Sequence, residues 1–134
     1  MHYDHLKALV VDDVDTVRRV LKKTLGELDI NNVEEAPSVD LAWNALTSHQ
    51  EKNEPFDIVF CDWNMPMGDG NELLKRIRES KVPAIKLIKF VMITGSDHKV
   101  AESMDLGAHN IIHKPFEKKF IKFKLDLIYK SYQK

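Results

Sequence analysis

The chain has 134 residues, 43% hydrophobic and 31% charged, with a formal net charge of −1 and a single cysteine, Cys61. That length supports one core, so a single domain over residues 1–134 with no separate output domain is expected. One cysteine excludes an internal disulfide framework, the opening MHYDHLK never builds a signal-peptide core, no run is long enough to span a membrane, and nothing suggests a nucleic-acid module.

The first strand is predicted over Leu6 to Val11, an apolar run stopped by Asp12-Asp13. Val14 to Leu28 has helical spacing, with Val17, Leu21, Leu25 and Leu28 inward, Arg18, Arg19, Lys22, Lys23 and Glu27 mostly elsewhere, and Asp15 or Thr16 as cap or first-turn residue. Val33 to Ala36 makes a short second strand. Ser38 opens a helix through about Ser48 with Leu41, Ala42, Ala45 and Leu46 inward, and His49 to Pro55 is expected to be an exposed loop without chemistry.

The central strand, Ile58 to Cys61, stops at Asp62 and passes into a loop with Pro66, Gly68, Asp69 and Gly70. Asn71 to Ser80 returns to helix, with Leu73, Leu74 and Ile77 inward and Pro83 blocking its continuation; Val82 to Leu87 has no clear assignment. Lys89 to Ile93 is a fourth strand ending in Thr94-Gly95. A fourth helix is predicted over Asp97 to Leu106, with Val100, Ala101 and Met104 on its packing face and Gly107 as its stop. Asn110 to His113 is a fifth strand ending in Lys114-Pro115.

Phe116 to about Tyr132 is the fifth helix, with Ile121, Leu125 and Ile128 inward and a second apolar stripe of Phe120, Phe123 and Leu127, expected to be partly core with Phe123 as a candidate exposed anchor for a partner peptide. From Lys114 onward seven lysines face two acids, a net +5 that leaves −6 for the rest of the chain. The alternation of strand and helix is the pattern of an α/β fold with a parallel sheet covered on both faces. The six histidines show no metal-binding spacing and read as scattered surface residues.

Strand ends therefore carry Asp12, Asp13, Asp62, Thr94 and Lys114, at the edge where open α/β sheets place their ligand sites. Three converging carboxylates repel unless a cation lies among them. Oxygen donors around an open mouth suit Mg²⁺, whereas zinc would prefer Cys and His. With an ammonium, a hydroxyl and a backbone N–H such as that of Gly95, the site suits a phosphoryl group. Asp12 and Asp13, adjacent on one tip, suit metal binding; Asp62, alone on the central strand, suits the nucleophile that forms an acyl phosphate.

VVDDVDTVRR, CDWNMPMGDG, MITG and HKPF, in this order and spacing, resemble the CheY-like receiver domains of bacterial two-component response regulators, over about Asp4 to Tyr132. The resemblance implies a doubly wound, flavodoxin-like (βα)₅ fold, a three-layer sandwich with a five-stranded parallel sheet in the order 2-1-3-4-5. It implies that Asp62 is the phosphoacceptor, that Asp12, Asp13, Asp62 and the backbone carbonyl of Asn64 hold Mg²⁺, that Thr94 is the switch hydroxyl and that Lys114 binds phosphate. The Lys114-Pro115 bond would be cis, and Trp63 would report metal and phosphoryl binding. Asn64 and Ser96 match positions that tune dephosphorylation. Ile111 stands at the switch position where the family usually has Tyr or Phe.

The implied function is a stand-alone, cytoplasmic and monomeric response regulator, not a conventional enzyme beyond removing its own phosphoryl group. A CheA-like histidine kinase would donate to Asp62. The face of fourth helix, fifth strand and fifth helix would bind a protein target, such as a flagellar motor switch component or a phosphatase. Alternatives are a phosphorelay intermediate or phosphate sink, a receiver excised from a larger regulator, and, from another class, a metal-dependent aspartyl-phosphate phosphohydrolase. Asn64 stands where such hydrolases carry a second catalytic Asp.

Overall fold

The computed structural model describes residues 3–65, 68–95, 100–108, 110–114 and 117–130. Five strands alternate with helices: β1 (Lys7–Val11), α1 (Asp15–Glu27), β2 (Asn32–Ala36), α2 (Val39–Glu51), β3 (Ile58–Asp62), α3 (Gly70–Arg78), α4 (Pro83–Lys86), β4 (Lys89–Thr94), α5 (Val100–Asp105), β5 (Asn110–His113) and α6 (Lys118–Lys130). All pairings are parallel, in the order β2-β1-β3-β4-β5, as the resemblance implies. The predicted fourth and fifth helices are α5 and α6.

The strands read as unbroken apolar runs because both faces of the sheet are covered. Successive side chains point to opposite faces, which splits the core in two. Ala8, Val10, Ile58, Phe60, Val91, Ile93 and Ile112 pack with α1 and α6 residues such as Leu21, Leu25, Ile121 and Leu125. Leu9, Val11, Val59, Cys61, Phe90, Met92 and Ile111 pack with α2, α3 and α4 residues such as Leu46, Leu74, Ile77 and Ile85. Cys61 is a fully buried core residue, its thiol pushed well above its ordinary pKa by burial.

Several side chains depart from the predicted faces. Ser38 caps α2, its Oγ accepting from the Leu41 N–H at 3.2 Å, which sets a phase that buries Val39, Ala42 and Leu46 and leaves Leu41 50% exposed. In α5 the side chains of Val100 and Ala101 lie outside the described residues; Ser103 is buried, its hydroxyl donating to Asn71 Oδ1 at 2.7 Å, and Met104, one position around the helix, is 46% exposed. Arg18 is buried rather than solvated. Phe120, Phe123 and Leu127 are all exposed.

The expected loop from His49 is helical through Glu51, and His49 has a partner. The Lys7 ammonium, which can only donate, gives hydrogen bonds to His49 Nδ1 (2.5 Å) and the Glu54 carbonyl (3.0 Å). It lies 4.9 Å from the centre of the Phe56 ring. Pro83 starts the four-residue helix α4, at the first-turn position where its missing N–H costs nothing. Residues Asp97, Phe116 and Tyr132, where helix ends were expected, lie outside the described residues.

Arg78 ties α3 to two loops: Nε (3.1 Å) and Nη2 (2.8 Å) donate to the Gly107 carbonyl, and Nη1 donates to the carbonyls of Lys86 (2.7 Å) and Ile88 (2.8 Å). Arg78→Met keeps the stem but strands these acceptors. It is expected to lower the unfolding free energy by about 2 kcal/mol in urea titration, since hydrogen bonds to charged groups contribute about 1.5–3 kcal/mol. An unchanged midpoint would contradict this role.

Candidate functional site

The sheet's hydrogen-bond ladder continues past its strand tips. Val11 pairs with Cys61 in register, so Asp12 and Asp62 are the next residues on neighbouring strands. Asp12 N–H donates to the Ala36 carbonyl at 3.2 Å, Trp63 N–H to Ile93 at 2.8 Å, and Lys114 N–H to Thr94 at 2.8 Å. Asp12, Asp62 and Lys114 are thus held by sheet geometry. Asp12 and Asp62 are each only 4% exposed.

The structure brings Asp12, Asp13 and Asp62 together, one carboxylate oxygen of each lying within 4.8 Å of the others. Lys114 Nζ is 3.0 Å from Asp62 Oδ1 and 3.9 Å from Asp12 Oδ2. Asp62 also accepts a hydrogen bond from the Asn64 backbone N–H, and Asp12 Oδ1 accepts from the Val14 N–H at 2.9 Å. The Asp12 side chain therefore fastens the start of α1 with one oxygen and faces the cluster with the other. An open pocket of about 440 Å³ is lined by Asp13, Val14, Asp62, Asn64 and Lys114. A larger groove, about 510 Å³, lies at the opposite end of the sheet among Leu6, Phe56, Asp57, Lys89 and Tyr129, away from this cluster.

Burial holds the pKa of Asp62 above the ordinary aspartate value, with the Lys114 ammonium and the Asn64 N–H opposing part of that rise. Burial likewise raises Asp12, with the Val14 N–H opposing and the Asp62 charge adding to the rise. Among the described residues, three carboxylates against one ammonium leave the cluster short of positive charge. A divalent, oxygen-seeking cation fits that deficit, and the donor set suits Mg²⁺.

Thr94 is buried at the tip of β4, and Gly95 follows it exposed, with open space where a Cβ would be. Trp63 is half-buried against the α2–α4 core. Ile111 is buried in the same core, in register with Met92. Ser96 and Pro115 lie outside the described residues. Gly70 has a role that its place in a turn-rich loop concealed: a Cβ there would come within 2.6 Å of Met92 Sδ and 2.8 Å of the Asp62 carbonyl, so only glycine lets α3 begin this close to the end of β3. Arg18 also reaches the site, through the Asp12 carbonyl (2.5 Å). Its only sequence signal is an arginine three residues after Asp15 and six after Asp12.

Residues 8–126 match the response regulator receiver domain. The chain is 39% identical over 121 residues to a chemotaxis protein CheY homolog of Campylobacter jejuni, covering 90% of each chain. It is 36% identical over 125 residues to the chemotaxis protein CheY1 of Helicobacter pylori, covering 92% of this chain and 96% of that one. Among solved structures, the chemotaxis protein CheY4 of Vibrio cholerae superposes with a TM-score of 0.76 at 29% identity, covering 92% of this chain and 98% of the other.

Because the folded-state pKa of Asp12 lies above the ordinary aspartate value of 3.8, its ionisation opposes folding. The penalty is complete above the raised pKa and is relieved as pH falls through it toward 3.8. Asp12→Asn keeps the bond to the Val14 N–H and removes the charge. Without divalent cations at pH 7 this variant is expected to melt several degrees above the parent, with the advantage shrinking on acidification. Added Mg²⁺ is expected to raise the melting temperature of the parent and not of the variant. A lower melting temperature for Asp12→Asn in metal-free buffer at pH 7 would contradict this electrostatic account.

Proposed function

The chain belongs to the response regulator receiver family, and from that premise we propose that it is a chemotaxis-type signalling switch operated by phosphorylation of Asp62. The observation that carries the reading is the Lys114 ammonium 3.0 Å from Asp62, with the carboxylates of Asp12 and Asp13 closing the cluster. The donor is the phosphohistidine of a CheA-like histidine kinase. A carboxylate oxygen of Asp62 attacks phosphorus, and the P–N bond breaks. Its electron pair returns to the imidazole nitrogen of the donor, leaving an acyl phosphate on Asp62 and the histidine free.

Lys114 and the Asn64 N–H favour the ionised, nucleophilic form of Asp62. The sheet ladder holds acceptor and ammonium in place before the donor arrives, so little reorganisation is needed on transfer. Asp12, Asp13, Asp62 and the Asn64 carbonyl would hold Mg²⁺, which when bound would supply the positive charge that the carboxylates and phosphoryl oxygens require. Lys114 pairs with one phosphoryl oxygen, the Gly95 N–H donates to another, and the Thr94 hydroxyl at the adjacent strand tip turns toward the group. Release by water regenerates Asp62, so the chain is a self-resetting signalling protein, not a conventional enzyme.

The switch is a shift of populations, driven only by contacts that the phosphoryl group makes better in one state than in the other. Ile111, packed in register with Met92, couples Thr94 to the outer face by apolar packing where the family usually uses an aromatic ring. The output is protein binding through α5, β5 and α6, where Phe120, Phe123 and Leu127 stand exposed among Lys119, Lys122 and Lys124. A flagellar motor switch component is the target this reading favours. No helix among the described residues is long and apolar enough to cross a membrane, and the proposed site of action is the cytoplasm.

Mixing the chain with an autophosphorylated, radiolabelled chemotaxis-type kinase tests the reading. Label is expected to move to the parent chain and not to Asp62→Asn. Lys114→Met is expected to slow transfer about 100-fold, the usual cost of removing one charge-stabilising donor. Label that stays on the kinase in the presence of folded parent chain would count against the proposal.

A further inference from the structure

Arg18 occupies the second turn of α1, where an aliphatic residue would complete the packed face, yet it carries a buried charge that is 9% exposed. A buried guanidinium is strongly unfavourable unless its donors are satisfied. Its Nη1 donates to the backbone carbonyl of Asp12 at 2.5 Å, its Nε to Glu35 Oε1 at 3.1 Å, and its Nη2 pairs with the Asp15 carboxylate. One side chain thus joins the tip of β1, strand β2 and the first turn of α1.

Asp12 is where the first strand leaves the sheet. Its N–H is still in the ladder, bonded to Ala36, but its carbonyl is held by Arg18. That carbonyl belongs to the peptide plane joining Asp12 to Asp13, so fixing it sets the direction in which Asp13 emerges. The Val14 N–H holds Asp12 Oδ1 from the other side. The guanidinium binds the carbonyl of Asp12 rather than its carboxylate, so the carboxylate stays available to Lys114 and a cation. Arg18 also engages Asp15 and Glu35, so its own charge is spent on acids outside the Asp12, Asp13 and Asp62 cluster.

We propose that Arg18 is a positioning residue of the phosphoryl-accepting site, clamping the Asp12 to Asp13 peptide so that both carboxylates face Asp62. The proposal rests on the functional reading above. Groups that orient metal-binding residues typically contribute 10–100-fold in metal affinity. Lysine has no planar fork and cannot span the three partners, so Arg18→Lys should recover only part of the effect.

The test is Mg²⁺ affinity by calorimetry in the parent, Arg18→Met, Arg18→Lys and Glu35→Gln, with melting temperatures recorded alongside. Arg18→Met is expected to weaken Mg²⁺ binding about 10–100-fold. Saturating Mg²⁺ is expected to restore phosphorylation by a small acyl phosphate to within a few-fold of the parent. Arg18→Lys and Glu35→Gln, which keep a cation in place or leave the Asp12 bond intact, are expected to show smaller, several-fold losses, and they carry the test should Arg18→Met not fold. Variants that melt lower but bind Mg²⁺ as the parent does would overturn the proposal and reduce Arg18 to a structural ion pair. A parent chain that fails to bind Mg²⁺ would overturn the functional reading, and this inference with it.

Discussion

Carboxylates crowded at one edge of a parallel sheet repel each other, and burial makes each charge harder to keep. Asp12 and Asp62 sit at neighbouring strand tips because β1 and β3 pair in register up to Val11 and Cys61. Lys114, delivered by the end of β5, supplies one compensating charge at 3.0 Å from Asp62. The remaining deficit among the described residues suits a divalent, oxygen-seeking cation, and on the functional reading proposed above it is that cation together with the ammonium that would let a phosphoryl group approach.

The rest of the architecture keeps this unfavourable arrangement from relaxing. Two apolar layers lock the strands so that their tips cannot spread. Gly70 lets α3 start against the backbone at the end of β3, and Arg78 secures the far end of that helix to the loops before β4 and β5. At the opposite edge, Lys7 is buried among His49, Glu54 and Phe56, closing the loop that leads into the central strand. Polar groups inside the molecule thus serve mainly to hold backbone where the apolar core alone would leave it loose.

The cluster of carboxylates with its lysine was largely legible in the sequence because a parallel sheet brings its strand ends together at one end. Finding where each apolar run stops at a polar residue picks out Asp12, Asp62, Thr94 and Lys114 before any coordinates are known. Strand order is not written in periodicity and came from the family resemblance, which the pairing of β2-β1-β3-β4-β5 bears out. Helix faces were less legible. Leu41 and Met104 sit one position from buried neighbours, and a capping serine or a buried Ser103–Asn71 bond sets the phase more firmly than hydrophobicity does. Arg18 and His49 read as solvated because their partners, Glu35 and Lys7, are brought near only by folding. Helix α4, four residues long, is too short to show a period.

The central claim is that this cluster makes Asp62 a phosphoacceptor. Its most direct test is the intact mass of the chain after brief incubation with Mg²⁺ and a small acyl-phosphate donor, with EDTA and Asp62→Asn as controls. The account predicts the gain of a single phosphoryl group by the parent chain with Mg²⁺ and no gain in either control. A folded, Mg²⁺-binding parent chain that gains nothing, or an equal gain in Asp62→Asn, would contradict it.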